Sequence, residues 1–449
     1  MPATALPAAQ TDWLRTERIR EVELIFADLT GFPRGKTLPA AAFGQGQEVR
    51  IARAVAIQGC TGEFPDYRFY GEHDPDVTLR PDPATLRRAP WSGGARAVAI
   101  CDNVDHDGRL SPLAPRSVLK QVLAGYAARG LAPVVAPELE FYLFATHDGG
   151  ATPFRPPTLR SGRCETGGDA FSLSARNDLD PFFDEVYRGC DELGIVTDTF
   201  VHEMGPSQFE INLRHGEALR LADHTFLFKY LLKETAHRHG LSAVCMAKPL
   251  AGEPGSSMHL HQSLVDAQGR NVFSRPDGSA SPLFRHFIAG LQRHLPALLP
   301  LFCPSPNSYR RFVKGLAAPV NLSWGEDNRS VGLRVPHGEP AARRVENRLP
   351  GADANPYLAL AASLGAGLLG LTERLEPEAA AVGNVFKQGE ASLPATLDAA
   401  LAAMAAAPSA WQLFGEEFVR AYLAVKELEL ADYHQQVTPW ERRHLGLLA

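Results

Sequence analysis

Alternating polar and apolar residues mark two strand-like segments that carry the most unusual side chains of the chain. In the segment Met258 to Gln262, His259 and His261 are two residues apart. A strand would place both imidazoles on one face and apolar side chains on the other, because successive side chains point to opposite faces. A second, mostly apolar segment carries Glu138 and Glu140 at the same spacing. The pattern predicts two strands, each with one face that carries two ionisable side chains.

The rest of the pattern divides the chain into a strand-rich first part and a mixed second part. Short strand-like runs separated by Gly/Pro turns fill the first part, and helical spacing begins after the Pro-rich segment 111–115. The helical segments predicted beyond it are 115–129, 178–193, 221–239, 354–371 and 393–405. We therefore predict an α+β fold with a small domain at 13–110 and a larger one at 111–449, since 449 residues exceed the usual limit of one core.

Composition narrows the class of protein without identifying it. The chain is 45% hydrophobic and 21% charged, which is ordinary for a soluble globular protein. A formal net charge of -6, with both signs interspersed, gives no reason to expect a nucleic-acid or membrane partner. No signal peptide or membrane-spanning apolar run is visible, and the six cysteines form no C-x-x-C pair. These features predict a cytoplasmic protein with reduced thiols.

The acids in strand-like segments are candidate metal ligands. Glu138 and Glu140 would share one face of an otherwise apolar strand, where an unpaired carboxylate is costly. Two neighbouring acids repel each other, which favours a divalent cation between them; the alternative is a strand with one solvated face. Glu203 and Glu210 flank a Gly-Pro turn and would converge across a hairpin. For His259 and His261, the alternative is a surface strand whose histidines are solvated.

Arginines accompany the acids. Arg344, Glu346 and Arg348 alternate on one predicted strand, and Arg311, Arg329 and Arg334 lie upstream. Guanidinium groups match phosphate and carboxylate oxygens, although an ion-pair ladder between strands is an alternative for each one. Together, acids and arginines predict metal-dependent phosphoryl transfer to or from a small acid, without separating a ligase from a hydrolase. The chain has no Walker-type or kinase signature.

With these residues in view, the chain resembles the glutamine synthetase family from about residue 13 onward. The matching segments are Pro137 to Phe144, His202 to Glu210, Lys248 to Leu264, Asn307 to Arg311, Asn328 to Ser330, Arg343 to Arg348 and Asn355 to Tyr357. The resemblance implies a small N-terminal β-grasp domain and a large catalytic domain. It also implies active sites between neighbouring subunits of stacked hexameric rings, usually a homo-dodecamer.

The same resemblance implies a role for each candidate residue. One divalent metal ion would be held by Glu140, Glu203 and Glu210, and a second by Glu138, His259 and Glu346. The ATP contacts would be His261, Ser263, Arg334 and Arg344. The catalytic pair would be Arg329, which stabilises the transferred phosphoryl group, and Arg311. The glutamate substrate would contact Gly255, Arg311 and Arg348. The implied cofactor is Mg²⁺ or Mn²⁺, with two or three ions per active site.

Two departures from the family pattern concern the nucleophile. The family mechanism activates glutamate with ATP as γ-glutamyl phosphate, which an amine then attacks. Ammonia-using members carry a glutamate where Ala317 stands here and an aspartate where Gln58 stands. Losing two anions removes the attraction for a small cation and opens space. The chain therefore resembles the γ-glutamylpolyamine (γ-glutamylputrescine) synthetase branch, which predicts L-glutamate, ATP and an organic amine as substrates, with Gln58 near the amine, in polyamine catabolism.

Two other functions fit the same family pattern. One is glutamine synthesis from ammonium, with other residues replacing the missing acids. The other is a non-catalytic assembly protein, against which the complete set of metal-ligating residue types argues. Phe386 stands where some bacterial members carry an adenylylated tyrosine, so we predict no control by that modification.

Overall fold

An N-terminal sheet of six strands is the first unit along the chain. The computed structural model describes residues 7–146, 153–313, 318–387 and 393–448. The strands are β1 (Glu21–Ala27), β2 (Pro33–Pro39), β3 (Arg50–Ala52), β4 (Asp76–Pro81), β5 (Arg87–Arg88) and β6 (Arg96–Val104). Their order is β2-β1-β6-β4-β3, with β5 on β6. The parallel pair β1 and β6 forms the buried centre, which suits their nearly continuous apolar sequences.

A second sheet of nine strands carries the predicted acids and histidines. The strands are β7 (Leu131–Ala145), β8 (Thr197–His202), β9 (Gln208–Leu213), β10 (Gly216–Glu217), β11 (Leu241–Val244), β12 (Met258–Asp266), β13 (Trp324–Glu326), β14 (Leu333–Val335) and β15 (Val345–Asn347). Their order is β13-β14-β15-β12-β7-β9-β8, with β10 and β11 also paired to β7. The long strand β7 is central, with β12 on one side and β9 on the other.

Helices surround the sheets. They are α1 (Ala8–Thr16), α2 (Ala40–Gly44), α3 (Pro115–Ala127), α4 (Leu173–Asp178), α5 (Asp180–Leu193), α6 (Ala218–Arg238), α7 (Pro282–Leu298), α8 (Pro356–Glu373), α9 (Leu397–Ala406), α10 (Pro408–Phe414), α11 (Glu416–His434) and α12 (Pro439–Leu445). Helix α8 is buried almost throughout and packs on α7 with backbones in contact. A Cβ on Gly370 would lie 2.1 Å from the His286 carbonyl oxygen, so this crossing requires glycine.

Most predicted elements are present, and the α+β fold class is confirmed by the two sheets and their helices. The helix predicted over 178–193 instead begins at Asp180, because Pro181 occupies its first turn, and a separate helix ends at Asp178. The domain boundary at 110/111 stays a prediction. Within the described ranges, no helix is long and apolar enough to cross a membrane.

A buried arginine joins the N-terminal sheet to the helices behind the second sheet. Arg116, in the first turn of α3, donates to Asp102 of β6 at 2.7 Å and to Asp82 at 2.7 Å. Its other side donates to both carboxylate oxygens of Asp223 in α6, each at 2.9 Å. Tyr357 of α8 donates its hydroxyl to the same aspartate at 2.7 Å. One guanidinium therefore compensates acids from separate parts of the fold.

We predict that Arg116→Ala destabilises the protein by about 3–5 kcal/mol, because it leaves buried carboxylates without their cation. The free energy of unfolding in urea, followed by circular dichroism, checks this. Arg109→Ala is the matched control, since that side chain is 86% exposed and should change stability by no more than about 0.5 kcal/mol. Equal effects of the two substitutions would contradict the structural role of Arg116.

Candidate active site

Strand register brings the predicted acids and histidines to one face of the second sheet. His259 of β12 lies opposite Glu138 of β7, and His261 lies opposite Glu346 of β15. On the other side of β7, Glu140 lies opposite Glu210 of β9. Directly opposed residues have Cβ atoms about 4.5–5.5 Å apart, so these pairs are close enough to interact. The period-two spacing in the sequence thus becomes a continuous polar face across four strands.

Glu138 accepts hydrogen bonds from both histidines. Its Oε2 lies 3.2 Å from His259 Nδ1, and its Oε1 lies 2.9 Å from His261 Nε2. Arg344 Nε donates to His261 Nδ1 at 3.2 Å, so we assign the proton of that imidazole to Nε2. Burial opposes ionisation of Glu138, but the bonds from His259 and His261 hold its pKa well below the usual range. The two histidines, for which different roles were expected, contact the same carboxylate.

Glu346 is almost fully buried and is compensated by two arginines. Its carboxylate accepts from Arg334 at 2.8 Å and from Arg348 at 2.9 Å, and it lies 3.8 Å from His259 Nδ1. Burial raises the pKa of Glu346, but the charges of His259, His261 and Arg348 outweigh it, so the net shift is downward. This group is therefore an ionised carboxylate in the interior, an expensive arrangement outside a functional site.

The acids on the β9 side repel one another. Burial, followed by the charges of Glu210 and Glu203, raises the pKa of Glu140 well above its ordinary value. Burial and the charges of Glu138 and Glu203 raise the pKa of Glu210 to about 8. Glu140 has partial compensation, since it accepts the Ser257 backbone N–H at 2.8 Å. These acids cannot all be ionised at neutral pH unless a cation joins them.

The donor sets fit a divalent metal ion. Among the described residues, two groups have potential ligand atoms within 4.8 Å of one another: Glu138, His259 and Glu346, and Glu140, Glu210 and His259. Burial lowers the pKa of His259, which favours the neutral imidazole, the form that has a lone pair for a metal ion. Glu203, expected with Glu140 and Glu210, belongs to neither group, although its charge raises the pKa of both. Carboxylate oxygens with a neutral imidazole suit Mg²⁺ or Mn²⁺.

A loop beside this face is shaped by a glycine and an arginine. The Asn307 side chain accepts from the Lys248 N–H and donates to its carbonyl oxygen, both at 2.9 Å, and so fixes the start of the loop. A Cβ on Gly255 would lie 2.5 Å from Arg311 Cγ, which leaves room only for glycine. The buried Nε of Arg311 has no hydrogen-bond partner among the described residues. The other two nitrogens of this guanidinium donate to Ser257 Oγ at 2.8 Å and to the Leu349 carbonyl oxygen.

The other predicted ATP and phosphoryl contacts lie around the same sheet. Ser263 is half-buried on β12, on the strand face that carries His261. Arg329 lies in the connection between β13 and β14. Burial raises the pKa of Glu203, and the charge of Arg329 opposes that rise, so the guanidinium acts electrostatically on this acid. The arginine is thus placed to act on charge near the acidic cluster.

Of the two residues predicted near the amine, the structure describes Gln58. Gln58 follows a short 3₁₀ turn in the N-terminal part, and its Nε2 donates to the Gly62 carbonyl at 2.6 Å. Ala317 lies outside the described residues.

Phe386, the predicted replacement of a modified tyrosine, is half-buried in a 3₁₀ turn.

Gln208 is a site residue that the sequence reasoning missed. Its Nε2 donates to the Gly255 carbonyl at 3.0 Å and to Ser256 Oγ at 3.2 Å, and it lies 3.5 Å from Glu140 Oε2. The side chain therefore ties the glycine loop to the acidic strand. Its position two residues before Glu210 on β9 was the available signal, because it places both side chains on one face.

Buried acids, imidazoles and arginines on one sheet face are suited to a site that binds divalent metal ions and anionic substrates. Residues 112–445 match the family described as glutamine synthetase, catalytic domain. The chain is 35% identical to the glutamine synthetase of Pyrococcus abyssi, over 94% of this chain and 92% of that protein. It is 33% identical to the gamma-glutamylputrescine synthetase PuuA of Escherichia coli K12, over 94% and 90%.

A solved structure gives the same result for the fold. The structure titled apo GmaS without ligand superposes with a TM-score of 0.82 at 30% identity, over 97% of this chain and 98% of that one. The chain therefore belongs to the glutamine synthetase family. Members of this family are ATP-dependent ligases that form carbon–nitrogen bonds and use a divalent metal.

We predict that Glu346→Ala lowers glutamate-dependent phosphate release from ATP by more than about 100-fold. Loss of a group that only orients a metal ligand already costs up to about 100-fold, and loss of a ligand itself should cost more. The substitution removes a buried carboxylate that accepts hydrogen bonds from Arg334 and Arg348. Glu339→Ala, at an exposed position nearby, is the control. Activity of Glu346→Ala equal to that of the control would refute a role in the active site.

Metal affinity should rise with pH between about 6 and 8. Glu210, whose pKa burial and nearby charges raise to about 8, holds a proton at pH 7 that a bound metal ion must displace. One displaced proton corresponds to about tenfold in affinity per pH unit below that pKa. Calorimetric Mn²⁺ titrations in buffers of different ionisation enthalpy measure both quantities. Affinity that stays flat over this range, with no proton release, would contradict the assigned electrostatics.

Proposed function

We propose that the chain joins L-glutamate to an organic amine through the γ-carboxylate, using ATP. The observation that carries this proposal is a contrast between two sets of residues. The residue types expected to activate the acid are all present, with Glu138, His259 and Glu346 close together, whereas Ala317 and Gln58 stand where the resemblance expects two acids beside ammonium. Overall identity does not decide the amine, because 35% to a glutamine synthetase and 33% to a putrescine-using relative are nearly equal.

The proposed reaction has two steps. A γ-carboxylate oxygen of glutamate attacks the γ-phosphorus of ATP, which releases ADP and leaves γ-glutamyl phosphate. The amine nitrogen, as its free base, then attacks the γ-carbonyl carbon, loses a proton and expels phosphate. Activation is needed because a carboxylate resists attack by an amine, whereas an acyl phosphate has a good leaving group. Mg²⁺ or Mn²⁺, at two or three positions per site, supplies neutralisation of phosphate charge.

The arginines and the glycine loop divide the remaining work. Arg334 and Arg344, beside Glu346 and His261, are suited to contacts with ATP phosphates. Arg329 neutralises charge on the phosphoryl group in transit. The glutamate substrate is held by Arg311, Arg348 and the backbone at Gly255. Support for this last set is the closeness of Gly255 to Arg311, whose Cγ would lie 2.5 Å from a Cβ at Gly255.

A neutral pocket for the amine suits a larger nucleophile than ammonium. Without the two acids there is less attraction for a small cation and more room for carbon. A diamine or polyamine such as putrescine is the substrate class we propose, in a catabolic role. The second candidate is ammonium, which the similarity to glutamine synthetase supports.

We propose a homo-dodecamer of two hexameric rings in which the N-terminal sheet completes the neighbouring subunit's site. Within one subunit, the loop after Gln58 is held by α11, since Glu429 accepts the Cys60 N–H at 2.7 Å. Among the described residues, this loop makes no hydrogen bond to Glu138 or its partners. We also propose that adenylylation does not control the enzyme, because Phe386 stands where the resemblance expects the modified tyrosine.

The substrate proposal is tested by ATP-dependent phosphate release with glutamate and a panel of ammonium, methylamine, ethanolamine, putrescine, spermidine and aniline. We expect an organic amine to give the highest kcat/KM, at least about tenfold above ammonium, which corresponds to about 1.4 kcal/mol of transition-state preference. Mass spectrometry identifies the γ-glutamyl amide.

Ala317→Glu is the matched variant for this panel, because it restores the acid of ammonia-using members. It should shift the kcat/KM ratio toward ammonium and leave the KM for ATP unchanged. Ammonium as the best substrate of the unmodified protein would overturn the organic-amine proposal. No turnover with any amine, despite bound ATP and metal, would favour a non-catalytic assembly.

A further inference from the structure

A glutamate outside the predicted metal set contacts both ends of the turn that presents Glu203. This turn, residues 203–207, connects β8 to β9. Glu165 comes from the segment before α4, and its Oε2 accepts a hydrogen bond from the backbone N–H of Ser207. The same oxygen lies 3.1 Å from Nε2 of His202, the residue that precedes the turn. One carboxylate oxygen therefore bridges the strand end before the turn and the last residue within it.

Residues that come after Glu165 in the sequence also form hydrogen bonds to this turn and to the residue before it. The Gly168 N–H donates to the Met204 carbonyl at 3.1 Å, and the Phe171 N–H donates to the His202 carbonyl at 2.8 Å. Gly167 has φ of +87°, and a Cβ there would lie 3.4 Å from Pro206 Cδ. The segment 165–171 thus forms one wall of the turn, which we call the clamp segment.

The turn needs such support because its backbone is strained, and the two side chains that meet at its ends are buried. Ser207 has φ of +54°, in the left-handed region that non-glycine residues rarely occupy. The side chains of Glu165 and His202 are 5% and 0% exposed. On the other side, Gln208 accepts the Gly205 N–H through its Oε1 at 3.1 Å and the Glu203 N–H through its backbone carbonyl at 2.8 Å.

We propose that Glu165 is a positioning residue, which fixes the 203–207 turn so that Glu203 faces the metal held by Glu140 and Glu210. This inference rests on the proposed role of Glu203 as a metal ligand. Glu165 acts through its hydrogen bonds to the turn and contacts neither substrate nor metal. Groups that orient metal ligands from outside typically affect metal affinity by about 10–100-fold.

The test is Mn²⁺ binding to the full-length protein, measured by calorimetry, together with the thermal-unfolding midpoint of each variant. Glu165→Ala should weaken the affected Mn²⁺ site about 10–100-fold. Glu165→Gln keeps an acceptor oxygen in place and should stay close to the unmodified protein. Asp169→Ala is the matched control, because it removes one negative charge from an exposed position of the clamp segment.

The conservative variant separates position from charge. Glu165→Asp keeps the charge but shortens the side chain, so it should weaken Mn²⁺ binding even if Glu165→Ala fails to fold. Equal losses in Glu165→Gln and Glu165→Ala would overturn the inference, since charge would then be the important property. Unchanged binding in both Glu165→Ala and Glu165→Asp would overturn it as well.

Glu203→Ala distinguishes this inference from the function on which it rests. If Glu203→Ala weakens Mn²⁺ binding and the Glu165 variants do not, the metal role of Glu203 stands and the positioning role is wrong. If Glu203→Ala leaves Mn²⁺ binding unchanged, the proposed ligand role is wrong and the inference fails with it. Loss in Glu203→Ala and in Glu165→Asp, with Glu165→Gln retained, supports both.

Discussion

Repulsion among buried carboxylates is the constraint on which the active site depends. Glu138, Glu140, Glu210 and Glu346 lie on one face of four adjacent strands, with Glu203 at its edge. Histidines and arginines lower the pKa values of Glu138 and Glu346, whereas burial and mutual repulsion outweigh the charge of Arg311 and raise those of Glu140 and Glu210. The site therefore has a deficit of positive charge, and divalent cations with bound nucleotide are its natural complement.

The surrounding fold serves to keep these strands in register. A slip of one residue between β7 and β12 would turn His259 away from Glu138, because the side-chain period is two. Strand β7 resists such a slip, since it pairs with β9, β10, β11 and β12 along its length. Behind the sheet, Arg116 and the Asn355 side chain, which donates to the Asp28 carbonyl at 2.9 Å, attach the N-terminal sheet.

Sequence reasoning was strongest where chemistry follows local periodicity. The shared faces of Glu138 with Glu140 and of His259 with His261 follow from alternation alone, and the structure has both pairs on one sheet face. Contacts between distant segments were not accessible in this way. Glu165 lies 37 positions from His202 and Arg116 lies 107 from Asp223, and neither spacing carries a periodic signal. The Gly-Pro turn made Glu203 a candidate and the family resemblance made it a metal ligand, yet its absence from the two close ligand groups depends on the geometry of the turn, which the sequence motif does not determine.

The central claim is that this acidic face binds divalent metal ions to activate a carboxylate. Anomalous diffraction from crystals grown with Mn²⁺ and an ATP analogue tests it most directly. The account predicts one anomalous peak beside Glu138, His259 and Glu346 and another beside Glu140 and Glu210. Crystals with no anomalous peak on this sheet face, at Mn²⁺ concentrations that support catalysis, would contradict it.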